Sequence, residues 1–106
     1  MRIFNFFNQP DINQGVKDCK ATPGAVLLDV RTPEEYRGGH IPGSKNLPLQ
    51  TIDKTPSVIE NKDTPLYVYC QSGGRSRQAT GMLQAMGYQH VTNIGGIAAY
   101  SGKVER

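Results

Sequence analysis

The feature that most constrains the fold is an alternation between short apolar runs and helical patterns. Residues 25–30 and 65–69 are largely apolar, which is typical of strands buried on both faces of a parallel sheet. Shorter strands are predicted at 45–47 and at 91–94, the last followed by a helical turn that starts at Gly95. Because helical segments separate the strands, the pattern predicts βαβ units. We therefore expect one α/β domain with a central, mainly parallel sheet and helices on both faces.

Two amphipathic helices have apolar faces that can be identified from residue spacing. One begins at Asp11, and its apolar face includes Cys19, which we therefore expect to be a buried core residue. The other follows Cys70 and ends at Gly87. Its apolar face is predicted to consist of Ala79, Met82, Leu83 and Met86.

Two further helices begin at Thr-Pro pairs. Thr32 is the predicted N-cap of the first, with Pro33 in the first helical position and Glu35 completing a capping box. The second is predicted to begin at Thr55 and to run to Asn61. These signals define the helices that separate the predicted strands.

Cys70 lies at the junction between a predicted strand and a predicted helix. Gln71, Ser72, Gly73 and Gly74 connect the two and carry little side-chain bulk, and Arg75 begins the helix. The N–H groups at a helix N-terminus are unpaired and partly positive. This setting lowers the pKa of a cysteine and stabilises an anion bound to it.

The helix N-terminus alone is insufficient to activate this thiol. Lowering its pKa by about two units requires about 2.7 kcal/mol of differential stabilisation. A helix terminus supplies at most about 2 kcal/mol in a favourable, partly buried setting. We therefore expect main-chain N–H groups to bind the sulfur, helped by the flexibility of Gly73 and Gly74, and a guanidinium such as that of Arg75 to contribute.

Four motifs resemble those of the rhodanese family in its single-domain form. They occur in the family's order and extend from about residue 11 to residue 100. The motifs are Leu28-Asp29-Val30-Arg31-Thr32-Pro33-Glu34-Glu35-Tyr36, Gly39-His40-Ile41-Pro42-Gly43-Ser44-Lys45-Asn46, Cys70-Gln71-Ser72-Gly73-Gly74-Arg75-Ser76 and Gly95-Gly96-Ile97. The resemblance implies a three-layer rhodanese-like domain over 11–106, preceded by an extension at 1–10.

The resemblance also implies a sulfurtransferase whose catalytic residue is Cys70. The cysteine would take a sulfane sulfur from thiosulfate or a persulfide donor, hold it as a persulfide, and pass it to a thiophilic acceptor. Cyanide serves as the acceptor in assays, and a protein or small thiol serves in the cell. The substrate-binding residues would be Gln71, Ser72, Gly73, Gly74, Arg75 and Ser76. We expect no cofactor, and with two distant histidines and no Cys-x-x-Cys pair the sequence gives no support for a metal site.

Two other function classes remain open. Phosphatases and arsenate reductases of the same fold resemble Cys-x5-Arg, whereas only Gln71 to Gly74 separate Cys70 from Arg75 here. One residue fewer shortens the loop by up to about 3.5 Å, which favours a single sulfur over a tetrahedral oxyanion. The other alternative is a non-catalytic docking or sensing module with the same fold.

Three charged residues are expected to support the loop from behind. Asp29 lies at the end of a strand, and its place in the family signature that it resembles implies that it braces the loop or pairs with a cation such as Arg75. Arg31 and Glu35 are predicted to form a structural ion pair with each other.

Composition and charge narrow the possible partners. Twelve Lys/Arg and nine Asp/Glu give a net charge of +3 without a basic tract, which favours a small anionic sulfur donor over a nucleic acid. We expect no membrane association, because no apolar run approaches the roughly 20 residues that span a bilayer. Without a signal-peptide pattern the chain is expected to be cytoplasmic. Phe4, Phe6 and Phe7 are expected to pack in the core or on an edge strand.

Overall fold

A computed structural model of the protein describes residues 10–106. In this part of the chain, four parallel strands form one sheet in the order β2-β1-β3-β4. The strands are β1 (Val26–Asp29), β2 (Lys45–Asn46), β3 (Leu66–Cys70) and β4 (Val91–Gly96). The α/β fold with a parallel sheet, predicted from the alternating pattern, is confirmed.

Helices cover both faces of this sheet. They are α1 (Ile12–Ala21), α2 (Pro33–Gly38), α3 (Thr55–Val58) and α4 (Gly74–Ala85), with short 3-10 helices at Leu49–Lys54 and Ile97–Ala99. The capping box predicted for α2 is present, because Thr32 Oγ1 accepts from Glu35 N while Glu35 Oε1 accepts from Thr32 N. Local signals thus placed this helix correctly.

The sheet separates two hydrophobic clusters. One contains Cys70 together with Val68 and Leu83, and it is covered by α4 and the 3-10 helix at Leu49–Lys54. The other contains Cys19 and Ile94, and it is covered by α1. The two cysteines of the chain therefore lie on opposite faces of one sheet.

A β-bulge distinguishes β4 from the predicted strand. Val68 pairs with Asn93, but Tyr69 pairs with Gly95, so Ile94 is an extra residue in β4. The prediction that the strand ends at 94 is wrong, because Gly95 and the residue after it continue the pairing as far as Cys70. Gly95 has a φ of +104°, which a residue with a side chain rarely adopts.

Two details of the helices also differ from prediction. Helix α3 ends at Val58, because Ile59 is already extended with φ −126° and ψ 91°. Met82 is 38% exposed and does not belong to the buried face of α4. The residues of α4 that are buried are Ser76, Ala79 and Leu83, so this face includes a serine in place of a methionine.

The predicted N-terminal extension and its aromatic residues Phe4, Phe6 and Phe7 lie outside the described residues, except for the exposed Pro10. Between residues 10 and 106, no helix has the length and apolar character that crossing a bilayer requires.

Candidate active site

Cys70 is the last residue of β3 and lies at the carboxyl end of the parallel sheet. Three residues separate it from the first residue of α4, Gly74. The turn depends on Gly73, whose φ of +107° lies in the left-handed region. We call residues 70–76 the cysteine loop. Open parallel sheets bind their ligands at this edge.

Hydrogen-bond donors of the cysteine loop surround the sulfur of Cys70. Gly73 N donates to Sγ over 3.0 Å, and Ser76 Oγ lies 3.5 Å from Sγ. Burial raises the pKa of the Cys70 thiol, but hydrogen bonds from the Ser76 side chain and from loop amides, including that of Ser72, outweigh it. The pKa therefore lies below its ordinary value, and the thiolate is stabilised although the residue is only 1% exposed.

Ser76 is held in place by a residue that sequence reasoning missed. While Cys70 is a thiol, Ser76 Oγ accepts from Sγ and donates to Asn93 Oδ1 over 2.7 Å, and the same amide oxygen accepts from Gly95 N over 3.0 Å. The signal in the sequence was an asparagine in the predicted strand 91–94, two positions before a glycine pair. Only the bulge in β4 brings its side chain to Ser76.

The carbonyl side of the cysteine loop faces away from the sulfur. Gln71 O accepts from Ala98 N over 3.1 Å, on the 3-10 helix that follows β4. Gly96 permits this contact, because a Cβ added there would lie 2.4 Å from Gln71 O. Because the Gln71 carbonyl is bonded to Ala98 N, the amide of Ser72 on the same peptide points the opposite way, and it helps to lower the pKa of Cys70.

Asp29 and Arg31 form a buried ion pair, which corrects two predicted pairings. Arg31 Nη2 donates to Asp29 Oδ2 over 2.7 Å, and Arg31 Nε donates to both carboxylate oxygens over 3.1 Å. Asp29 therefore does not pair with Arg75, nor Arg31 with Glu35. Arg31 does reach the loop, because its Nη1 lies 3.5 Å from Gln71 Oε1.

Glu35 and Arg75 form the second ion pair, which is half-exposed. Arg75 Nη1 and Nη2 donate to the two carboxylate oxygens over 2.7 and 2.9 Å, a bidentate geometry. Hydrogen bonds from Arg75 lower the pKa of the Glu35 carboxyl to about 2, outweighing burial. Arg75 therefore supports the loop as half of an ion pair, and the charge of Cys70 is among the causes that raise the pKa of Arg75.

The remaining predicted loop residues lie at the rim of the site. Gln71, Ser72 and Gly74 are exposed, and Gly73 is half-buried. Residues 10–106 contain no cluster of three or more His, Cys, Asp or Glu that could hold a metal ion. The arrangement thus places a thiol of lowered pKa beside amides of the cysteine loop, with exposed loop residues at its rim.

Comparison with known proteins places this geometry in a family. The model of the rhodanese-like domain matches residues 12–103. The chain belongs to the rhodanese-like family. The resemblance identified from the four motifs is therefore confirmed.

Several relatives of this rhodanese-like chain carry sulfurtransferase names. A sulfurtransferase of Allochromatium vinosum is 38% identical over 100 residues, which cover 93% of this chain and 90% of the relative. A thiosulfate sulfurtransferase of Escherichia coli strain K12 is 39% identical over 71 residues, covering 66% and 68% of the two chains. An uncharacterized protein of Bacillus subtilis is 39% identical over 76% of this chain, which spans 64% of that relative.

Solved structures resemble the fold over most of the chain. A rhodanese with anions from E. coli superposes with a TM-score of 0.72 at 34% identity, covering 77% of this chain and 98% of the other. The rhodanese-like domain of an Anabaena protein gives a TM-score of 0.79 at 29% identity, covering 92% and 77%.

Proposed function

We propose that this protein is a sulfurtransferase that carries sulfane sulfur as a persulfide on Cys70. The observation that carries the proposal is the hydrogen bond from Gly73 N to Sγ, together with the Ser76 hydroxyl beside it. Such donors stabilise a thiolate, which is the nucleophilic form of cysteine. Family membership and the names of the relatives support the same activity.

In the first step the Cys70 thiolate attacks the outer sulfur of the donor. With thiosulfate, a new S–S bond forms, the S–S bond of the donor breaks, and sulfite leaves with the electron pair. With a persulfide, the leaving group is a thiolate. The terminal sulfur of the Cys70 persulfide then carries the negative charge, and the amides of the cysteine loop stabilise it as an oxyanion hole stabilises oxygen.

In the second step an acceptor attacks the terminal sulfur and regenerates the Cys70 thiolate. Cyanide yields thiocyanate, and a protein or small thiolate yields a new persulfide. The reaction needs no cofactor, because the sulfur moves in the same oxidation state. Because the free thiol of Cys70 carries out both steps, we propose that the reaction takes place in the reducing cytoplasm.

Among anionic donors, we propose a persulfide over thiosulfate. The two residues after Cys70, Gln71 and Ser72, are neutral, and Arg75 is engaged by Glu35. The cysteine loop thus has no unpaired cation of its own for the sulfonate group of thiosulfate. A persulfide brings its reactive sulfur on a small, singly charged group that the amides can bind.

Mass spectrometry of the intact protein tests this function. After incubation with thiosulfate or glutathione persulfide, the wild-type protein should gain one sulfur, which reductant removes. Cys70→Ser should gain none, while Cys19→Ala serves as the matched control and should gain the sulfur normally. A sulfur adduct that persists on Cys70→Ser would refute the assignment.

A phosphatase or arsenate reductase of the same fold is the alternative with a specific discriminating feature. Only four residues separate Cys70 from Arg75, and Arg75 forms an ion pair with Glu35. Both features disfavour this alternative. Hydrolysis of a phosphotyrosine analogue that depends on Cys70 would favour this alternative. A protein that takes up no sulfur from any donor would favour a docking or sensing module.

A further inference from the structure

The hydroxyl of Ser76 lies between two side chains that can both accept its proton. Asn93 Oδ1 lies 2.7 Å from Ser76 Oγ, and Cys70 Sγ lies 3.5 Å from it. The carbonyl oxygens of Gly73 and Gly95 are further acceptors, at 3.1 and 3.4 Å. A hydroxyl has one proton to donate, and Ser76 is fully buried, so bulk water does not supply another donor. The acceptors therefore compete for this single proton.

The register of β4 fixes which end of the Asn93 amide faces Ser76. Asn93 Oδ1 also accepts from Gly95 N over 3.0 Å, and a main-chain N–H can only donate. The oxygen of the amide, and not its nitrogen, must therefore face both groups. Asn93 thus offers Ser76 an acceptor that cannot turn into a donor.

The chemical state of Cys70 decides how strongly its sulfur competes for the Ser76 proton. A neutral thiol is a weak acceptor, and its own S–H can donate to Ser76 Oγ. A thiolate is a charged acceptor, whose hydrogen bonds are stronger. In a persulfide the charge lies on the outer sulfur, so Sγ is again a weak acceptor. The hydroxyl should therefore bond to Sγ in the thiolate and to Asn93 in the two other states.

We propose that Asn93 is a positioning residue that accepts the Ser76 hydroxyl whenever Cys70 is a thiol or a persulfide, and that it thereby stabilises these two forms over the thiolate. The part that concerns the persulfide rests on the proposed sulfur transfer. In that reaction, the Cys70 thiolate bonds to the outer sulfur of the donor, the S–S bond of the donor breaks, and the leaving group takes the electron pair. The O–H of Ser76 then turns from Sγ to Asn93 Oδ1 without losing its proton.

Charged side chains reach the cysteine loop from the ends of β1 and α2 and from α4. They are the exposed Arg77 and the two ion pairs, Asp29–Arg31 and Glu35–Arg75. The charges of Arg75 and Cys70 are coupled, but no charged side chain between residues 10 and 106 is hydrogen-bonded to Ser76 or Asn93. Strand β4 has no titratable residue, and the hydrophobic cluster around Cys70 has no charged one. A neutral substitution of Asn93 therefore leaves these charges in place.

Alkylation of Cys70 by iodoacetamide as a function of pH tests the proposal without any sulfur donor. Asn93→Ala removes the competing acceptor, so the rate-versus-pH profile should shift to lower pH. Below its midpoint, alkylation should be about fivefold faster, the factor that corresponds to one hydrogen bond. Ser76→Ala should shift the profile in the opposite direction. A shift of Asn93→Ala to higher pH, or no shift, would overturn the proposal.

Asn93→Asp is a second variant, which keeps both hydrogen bonds that the Asn93 side chain accepts. Its carboxylate is the stronger acceptor for the Ser76 hydroxyl, so the profile should shift to higher pH. The new charge contributes to this shift directly, and the same substitution in Ser76→Ala protein measures that contribution alone. We expect a smaller shift there than in the presence of Ser76, and no shift for Asn93→Ala in that background. Equal shifts with and without Ser76 would contradict the proposal.

Asn61→Asp is the matched control for the added charge. Asn61 Oδ1 also accepts from the N–H two residues later, that of Asp63, over 2.8 Å. Asn61 is exposed, however, and it has no hydrogen bond to a serine in the described part of the chain. Its substitution should leave the profile of Cys70 unchanged. The same shift as in Asn93→Asp would show that Asn93 does not act through Ser76.

The extent of loading tests the part of the proposal that concerns the persulfide. Wild type and Asn93→Ala are equilibrated with thiosulfate and sulfite at a fixed ratio, at a pH above the midpoint of both profiles, and analysed by intact mass. The ratio of loaded to unloaded Cys70 should be about fivefold lower in Asn93→Ala. An unchanged ratio would overturn this part. A wild type that gains no sulfur from any donor would refute the proposed function, whereas the alkylation profiles would still decide whether Asn93 acts on the thiol.

Discussion

The two cysteines of this protein are both free and both buried, yet their thiols differ in acidity. Cys19 is 8% exposed and Cys70 is 1% exposed. Burial raises the pKa of the Cys19 thiol, and the nearby charge of Lys20 only partly compensates. The pKa of Cys70 is lowered in spite of its deeper burial. Burial alone therefore does not decide whether a cysteine in this fold is reactive.

The difference lies in the availability of hydrogen-bond donors. Cys19 lies near the C-terminal end of α1, where the amides of the preceding turns are already bonded within the helix. Cys70 lies just before the N-terminus of α4, where the amides of the loop are free to bind Sγ. A thiol becomes a stable anion where the chain changes from strand to helix, because unpaired donors occur there.

Adding one methyl group beside the residues that surround each cysteine tests this contrast, and we expect these substitutions to have the largest effect on stability and alkylation. In Gly96→Ala the new Cβ would lie 2.4 Å from Gln71 O, and in Gly15→Ala it would lie 2.4 Å from Ile94 Cβ. Both variants should lose about 1–3 kcal/mol of unfolding free energy from overpacking, measured by urea denaturation. Gly96→Ala should slow iodoacetamide alkylation of Cys70 more than Gly15→Ala does, because it displaces the cysteine loop directly, whereas Gly15→Ala reaches the loop only through Ile94 and Asn93. Equal slowing in Gly15→Ala would break the comparison.

Removing the hydroxyl of Ser76 should make Cys70 more like Cys19. Hydrogen bonds to charged groups contribute about 1.5–3 kcal/mol, so Ser76→Ala should slow alkylation of Cys70 near neutral pH about tenfold or more. The Ser76 hydroxyl can turn from Asn93 Oδ1 to donate to Sγ once Cys70 is ionised, so its loss should shift the rate-versus-pH profile to higher pH. Alkylation of Cys19 should not change.

Ser57→Ala is the matched control for this variant. Ser57 is exposed, and its hydroxyl donates to Lys54 O within the segment at α3. An unmoved profile in Ser76→Ala, or the same shift in Ser57→Ala, would show that the hydroxyl does not act on the sulfur.

Substitution of Glu35 should produce the smallest effect. It measures how much the ion pair with Arg75, which supports the cysteine loop, contributes to the unfolding free energy. Glu35→Gln keeps the capping box but loses the ion pair with Arg75, so it should cost below about 1 kcal/mol of unfolding free energy. Glu35→Ala should cost about 1 kcal/mol more, because the capping interaction is also lost.

The cost of Glu35→Gln should depend on pH in a defined direction. The pKa of Glu35 is lowered in the folded state from 4.5 to about 2. Its stabilising contribution is therefore complete above 4.5 and is lost as the pH falls toward 2. Urea denaturation across this range should show the difference between wild type and Glu35→Gln shrinking toward acid. A constant difference would show that the charge of Glu35 is unimportant.

Short-range patterns predicted much of the fold. The capping box at Thr32 and Glu35 and the strand that delivers Cys70 to a helix N-terminus depend on residues a few positions apart. The turn at Gly73, which depends on the flexibility expected of the glycine pair, belongs to the same class. Interactions of this range are specified by adjacent residues, and the prediction was accurate there.

The charged pairs could not be predicted in the same way. The sequence offers Asp29, Arg31, Glu35 and Arg75 without stating which cation faces which carboxylate. Arg31 lies two residues after Asp29, so its side chain turns back onto the buried carboxylate. This leaves Glu35, on the first turn of α2, to meet Arg75 from α4, which is forty positions away in the chain.

The sequence by itself determined that a cysteine would end a buried strand before a glycine-rich turn into a helix, because each of these features is a local property of the backbone. Tertiary structure alone decided which groups complete the site. The β-bulge at Ile94 brings Asn93 to Ser76, and Gly96 lets the loop carbonyl turn outward. These contacts depend on strand register across the sheet, which no short stretch of residues specifies.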